Sequence, residues 1–239
     1  MKKRSNCLYF SVLYSIVIIL FVLISVAAGN AVTTIAENAP VENRKCIIID
    51  PGHGGEDGGA TSCTGVLESK YNLDISLRLN DLLQMLGYNT KMIRTTDMSI
   101  YTQGNTIAQK KVSDLKQRVH IVNNTEDAYL ISIHQNYFSD SRYSGAQVFY
   151  APTEQSKELA LLLQRQFPLY LQKENKRTIK KASGVYLMEH IDCPGVLIEC
   201  GFLSNPTDAA NLVDPGYQKK LCCVIATGVS NFLDREDVS

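Results

Sequence analysis

Three apolar runs in this sequence end in, or carry, groups able to do chemistry. The first is Asp50-Pro51-Gly52-His53-Gly54-Gly55, the second Ser132-Ile133-His134-Gln135-Asn136, and the third Ile198-Glu199-Cys200-Gly201. Glu68 lies between the first run and the helical pattern that follows it. Two of the four histidines thus sit just past predicted buried strands, where loops line a cleft, and two carboxylates can join them. His and Glu are ligand types of a hydrolytic zinc site, which takes three protein ligands and keeps a fourth position for water. Zinc brings the pKa of that water to about 7. A carboxylate off the metal can take the water's proton and pass it to the leaving amine. Two His and two Glu fill all four roles, and the glycines around His53 allow a tight turn and close substrate approach.

Each residue also has a plainer reading. A His after a strand can be a hydrogen-bonded loop residue, and that reading is adopted for His120, in a helix, and His190, in a loop without partners. Glu68 can be a helix N-terminal charge that complements the macrodipole. Glu199 is harder to explain so: a carboxylate inside Val196-Leu197-Ile198-Glu199-Cys200-Gly201-Phe202-Leu203 is costly to bury without a partner, and a metal or its water is a natural one. Other chemistries fit worse. The glycine-rich stretch 52–59 lacks Gly-Lys-Ser/Thr, and Asp57 takes the third glycine position of G-x-G-x-x-G. No G-x-S-x-G elbow occurs. A catalytic cysteine is not excluded by spacing, but Cys200 lies on a strand, not at an exposed helix N-terminus.

The elements that must position these groups follow from periodicity. Strands are expected at Cys46–Asp50, Tyr88–Ile93, Tyr129–Ile133, Gln147–Tyr150, Gly184–Met188 (weak) and Val196–Cys200. Helices are expected over 69–86, capped by Gly87, over 115–124, over 153–172 with a kink or interruption at Pro168, and over 217–233. Residues 97–114 read as a long irregular connection. The alternation predicts an α/β fold: one catalytic domain with a twisted, mostly parallel (mixed) six-stranded sheet and helices on both faces. In such sheets sites form where strand C-ends meet.

Composition narrows the partners. The chain has 239 residues, with 24 Lys+Arg against 24 Asp+Glu. This balance argues against nucleic acid, which needs a basic footprint. Met1-Lys2-Lys3-Arg4 precedes 32 residues without charge, and within them Leu8 to Ala28 is almost wholly apolar. Residues 1–28 therefore read as a signal peptide or an uncleaved signal anchor, with a buried core helix as the plain alternative. Residues 29–44 read as a flexible tether, and 45–239 as the exported domain, touching membrane only through the N-terminal segment. Of seven cysteines, Cys7 lies in the export segment, and the other six are read mostly as buried free thiols. Without C-x-x-C spacing, cysteine-ligated zinc is not expected.

Ile48-Ile49-Asp50-Pro51-Gly52-His53-Gly54-Gly55 resembles the opening motif of the zinc-dependent N-acetylmuramoyl-L-alanine amidases, the amidase-3 family. Glu68 matches the second motif, 132–136 the third, and 196–206 (VLIECGFLSNP) the fourth; Arg94-Thr95-Thr96-Asp97 and Leu115-Lys116-Gln117-Arg118 also fit. The likeness runs from about residue 45 to 233. It implies hydrolysis of the amide between the lactyl group of N-acetylmuramic acid and L-alanine in peptidoglycan. It further implies one Zn²⁺ held by His53, Glu68 and His134, with Glu199 as general base and then acid. Within the family the chain is most similar to the germination-specific spore-cortex amidases of endospore formers, which implies action in the spore cortex or forespore intermembrane space, ahead of muramic-δ-lactam formation. Family wall-binding repeats are missing from this sequence. Two other readings stay open. One is a carboxypeptidase-like zinc peptidoglycan hydrolase. The other is an exported peptidoglycan-binding protein that needs an exported activator.

Overall fold

The structure, a computed structural model, describes residues 45–236 and the isolated position 19. Apart from position 19, the expected signal (1–28) lies outside the described residues, as does the whole of the expected tether (29–44). The chain divides into two units, 1–43 and 44–239, and the second holds the sheet and its helices. None of these helices is long and apolar enough to cross a membrane.

The elements are β1 (Cys46–Pro51), α1 (Glu68–Met85), β2 (Asn89–Met92), α2 (Ile107–Asn123), β3 (Ala128–Asn136), β4 (Gln147–Tyr150), α3 (Ser156–Tyr170), β5 (Lys180–Lys181), α4 (Tyr186–His190), β6 (Gly195–Phe202), α5 (Pro206–Val213) and α6 (Pro215–Glu236). They build the six-stranded sheet in the order β2-β1-β3-β6-β4-β5. The β1–β2, β1–β3, β3–β6 and β4–β5 pairings are parallel, and only β4–β6 is antiparallel. Strands buried on both faces are near-continuously apolar, which is how β1, β3 and β6 read.

Alternate side chains of those strands enter separate cores. Ile47, Ile49, Ile131, Ile133, Val196, Ile198 and Cys200 pack with Ile75, Leu79, Leu163, Phe167, Ile225 and Phe232 of α1, α3 and α6. On the other face Ile48, Leu130 and Leu197 meet Val122 of α2 and Leu187 and Met188 of α4. This second layer is thinner, and near the strand C-ends polar side chains take over from apolar ones. There Asp50, Ser132, His134 and Glu199 follow Ile48, Leu130 and Leu197 at a spacing of two, on the same face.

Several expectations change. The fifth strand is Lys180–Lys181, beside β4, whereas Gly184–Met188 runs into the short helix α4. The apolar character of Val185, Leu187 and Met188 does not separate a strand from a single helical turn. Helix α2 starts at Ile107, inside the expected irregular stretch, with a Thr106–Gln109 capping box. Its first turns carry exposed Ile107 and Val112, so no apolar face announces them. Helix α5, unforeseen, is capped by the Asn205 side chain and has Pro206 at its start. Pro168 lies within the last turn of α3 without ending it. Strand β3 runs on to Asn136, so His134 stands within the strand rather than after it. All six cysteines of the domain are free. Cys46, Cys200 and Cys222 are buried, but Cys63 and Cys223 are exposed.

Candidate metal centre

His53, Glu68 and His134 come together. One donor atom from each lies within 4.8 Å of the others. His53 Nε2 is 3.3 Å from Glu68 Oε2, and His134 Nδ1 is 3.0 Å from Glu68 Oε1. The two imidazoles meet edge to face with centroids 5.0 Å apart. Three different elements deliver them: the loop after β1, the first residue of α1 and the end of β3.

Glu68 is buried, and its carboxylate is held from several sides. Ala60 N donates to Oε2 at 3.0 Å, while Gln135 N at 3.2 Å and Asn72 Nδ2 at 3.3 Å donate to Oε1. Burial works to raise its pKa, but hydrogen bonds and charge from the two histidines outweigh it, so Glu68 is held well below the usual carboxylate range. For His53 burial favours the neutral ring, yet Asp57 and Glu68 reverse this and push its pKa up to about 9. Asp57 Oδ2 is 2.9 Å from His53 Nδ1. The bond to His53, chiefly, and another to Lys111 hold Asp57 low against the effect of its burial.

The loop itself is under constraint. His53 has φ 60°, in the left-handed region, where a non-glycine residue costs on the order of 1–2 kcal/mol. Two arginines oppose that cost. Arg94 Nε donates to Pro51 O at 2.9 Å, and its Nη2 donates to Gly52 O and Ser69 O, both at 3.0 Å. Arg118 Nη2 donates to His53 O at 2.8 Å, and its Nη1 bonds to Pro51 O and to Asp50 Oδ1. Ser132 Oγ donates to Asp50 Oδ2 at 2.6 Å, which completes the buried network. Gly52 leaves room for the His134 ring: a Cβ there would stand 2.1 Å from His134 Nε2.

Glu199 sits beside this cluster. It is the register partner of His134 across β3–β6. Its Oε2 is shielded from solvent and has no hydrogen-bond partner. Burial, chiefly, raises its pKa to about 7; Glu68 adds to the rise, and the two histidines pull the other way. A buried orphaned oxygen next to a His-Glu-His set is the feature a bound ligand or cation would satisfy. The donor types suit zinc.

The other two histidines stand apart from this cluster. His120 is exposed on α2 and contacts Asn124 Nδ2 at 2.9 Å. His190 does have partners, in a correction of the expectation: its Nδ1 meets Tyr186 O at 2.8 Å, and its ring stacks on Tyr186. Sequence reasoning missed Asp57, because an acid in a glycine-rich loop resembles an ordinary turn residue. It also missed the pairing of Asp50 with Arg118. The signal was present, since Asp50 interrupts an apolar strand as Glu199 does.

Comparison with known proteins agrees with this geometry. Residues 47–231 match the Amidase_3 family, described as N-acetylmuramoyl-L-alanine amidase. The chain is 37% identical over 190 residues to the germination-specific N-acetylmuramoyl-L-alanine amidase of Bacillus subtilis, covering 79% of each. It is similar to the CwlD amidase from Clostridioides difficile, solved in complex with the GerS lipoprotein, with a TM-score of 0.77 and 38% identity over 80% of this chain and 99% of that one. The catalytic domain of CwlV from Bacillus (Paenibacillus) polymyxa gives 0.69 and 27%, over 80% and 98%. The chain belongs to the Amidase_3 family and is an N-acetylmuramoyl-L-alanine amidase acting on peptidoglycan.

Proposed function

We propose that the enzyme is zinc-dependent, with one ion held by His53, Glu68 and His134, and that Glu199 is its proton-transfer group. The observation that carries this is the convergence of three donors within 4.8 Å, with the unpartnered Oε2 of Glu199 on the register partner of His134. Zinc, when bound, supplies Lewis acidity, polarising the amide carbonyl and easing loss of a proton from water near neutral pH. Glu199 accepts the proton that the attacking water loses. It then returns that proton to the L-alanine nitrogen as the amide bond breaks, leaving a lactyl carboxylate on the glycan and a free amine on the stem peptide. A pKa near 7 suits a group that must both take and give a proton. Asp57 fixes the ring of His53, and Lys111 fixes Asp57 at 3.0 Å.

The biological setting is part of the same proposal. The likeness to a germination-specific amidase supports action on spore cortex, as the step before muramic-δ-lactam. The apolar N-terminal run supports export, with 1–28 as signal or anchor, 29–44 as tether and 45–239 as the catalytic domain. The complex formed by the CwlD relative supports an exported lipoprotein as partner.

Glu199→Gln tests the assignment. The variant is expected to bind zinc as the wild type does, to lose about 10²-fold to 10⁴-fold in stem-peptide release, and to give spores whose cortex lacks muramic-δ-lactam. Full activity in the variant would refute the role of Glu199, and purified wild type that cleaves without any bound metal would refute the zinc dependence.

A further inference from the structure

Beside Glu199, one strand further across the sheet, lies a cation that amide hydrolysis at the metal centre does not use. Gln147 of β4 is the antiparallel register partner of Glu199, so both side chains leave the same face. Gln147 Oε1 accepts from Arg177 Nη1 at 3.2 Å. Arg177 Nε donates to Ser144 O at 2.8 Å. The guanidinium lies 4.4 Å from the Phe202 ring centroid and 5.8 Å from that of Tyr143. Phe202 shares the face of Glu199 because the register slips there. His134 pairs with Glu199 but Asn136 pairs with Phe202, so two steps on β3 match three on β6.

The platform is built in advance of any ligand. Asp208 Oδ2 accepts from Gly145 N at 2.8 Å and from Phe202 N at 2.9 Å, which ties the 137–145 loop to the end of β6. Asp208 attracts Arg177 from a distance. Among the described residues, however, Arg177 forms no ion pair with a carboxylate, unlike Arg118, Arg142, Lys110 and Lys111. A part-buried guanidinium on an aromatic floor with two of its donors engaged presents its remaining edge to an anion.

The substrate restricts which anion that is. In uncut peptidoglycan the lactyl carboxyl is consumed in the scissile amide, so charge near the cut resides on the stem peptide. Its second residue is a γ-linked glutamate with a free α-carboxylate unless that group is amidated. An extended chain advances about 3.5 Å per residue and neighbouring strands lie about 4.8 Å apart, so a stem that runs from the cut across β4 would bring this carboxylate within reach of Arg177. We infer that Arg177, on its Phe202–Tyr143 floor, is the subsite for the α-carboxylate of the second stem residue and selects stems with a free acid there over amidated ones. The inference rests on the proposed amidase site at Glu199.

The test uses the purified full-length chain and two soluble muropeptides that differ only in a free or an amidated α-carboxyl at the second residue. Wild type is expected to favour the acid by about tenfold or more in kcat/KM, chiefly through KM. Arg177→Gln is expected to remove the preference while kcat on the amidated substrate stays near wild type, and Arg177→Lys to keep part of it, since an ammonium lacks the planar fork. Equal use of both substrates by wild type overturns the inference, and this arm needs no variant to fold. Persistence of the preference in Arg177→Gln also overturns it. Failure to release an L-alanine amine from either substrate strikes at the amidase reading instead, so the two failures are told apart.

Discussion

Asp57 shows how one hydrogen bond sets the function of another residue. An imidazole that ligates through one nitrogen is oriented by what its other nitrogen meets. His53 uses Nδ1 for Asp57 and turns Nε2 toward Glu68. The carboxylate thus fixes both the ring plane and the nitrogen that faces the cluster, and Lys111 from α2 keeps the carboxylate in place. Asp57→Ala is expected to weaken zinc binding by about 10-fold to 100-fold, while turnover per bound zinc stays near that of wild type. Competition titration against a chelating dye measures the first quantity and single-turnover assays at saturating zinc the second. An unchanged affinity would show that the glycine loop alone orients the ring.

At the scale of elements, the buried Asp50–Arg118 pair joins β1 to α2 and holds the His53 carbonyl through the same guanidinium. Removing one partner from a buried pair costs about 3–5 kcal/mol when the other charge is left uncompensated; Asp114 still pairs with Arg118 Nε at 2.6 Å, so the loss of Asp50 is expected to cost less than that. Burial favours protonation of Asp50, yet Arg118 and Ser132 hold its pKa below the usual carboxylate value, which is about 3.9 in an unfolded chain. Its contribution to stability is therefore complete above that value and is lost as pH falls through the lower, folded one. Urea unfolding at a series of pH values should show Asp50→Asn well below wild type at neutral pH and the gap closing only under about pH 4; a gap independent of pH would contradict the pairing. These two side chains also mark the limit of what the sequence discloses. The strands carrying Asp50, His134 and Glu199 were legible because each is a short apolar run bounded by charged, polar or turn-forming residues, a pattern with few alternatives. The first turns of α2 were not. Polar contacts hold them, including Asp114 on Ile100 N, Ser113 on Thr102 N and Lys110 on Glu56, and such contacts leave no periodic trace. The two-residue β5 and the single turn of α4 are too short for any pattern to register.

For the whole molecule, the division of the sheet's two faces decides how far the fold would depend on the proposed metal. The larger apolar core, beneath α1, α3 and α6, lies on the face away from Asp50, His134 and Glu199. The donors stand where strands end and loops begin, outside the layers that bury most apolar surface. Without a metal, charge there is still balanced. Asp57 and Glu68 on either side of His53 favour its protonated form, and the backbone amides of Ala60 and Gln135 complete the shell of Glu68. Ion removal therefore leaves no bare cluster of like charge to force the domain open, unlike small zinc modules whose folding free energy is their binding free energy. Dialysis against a chelator is expected to abolish stem-peptide release while near-ultraviolet circular dichroism and a single cooperative thermal transition persist. Added zinc should restore activity at one equivalent and raise the midpoint with concentration by mass action. Loss of the cooperative transition on chelation would mean that the ion, and not the two-faced core, holds the strand ends together.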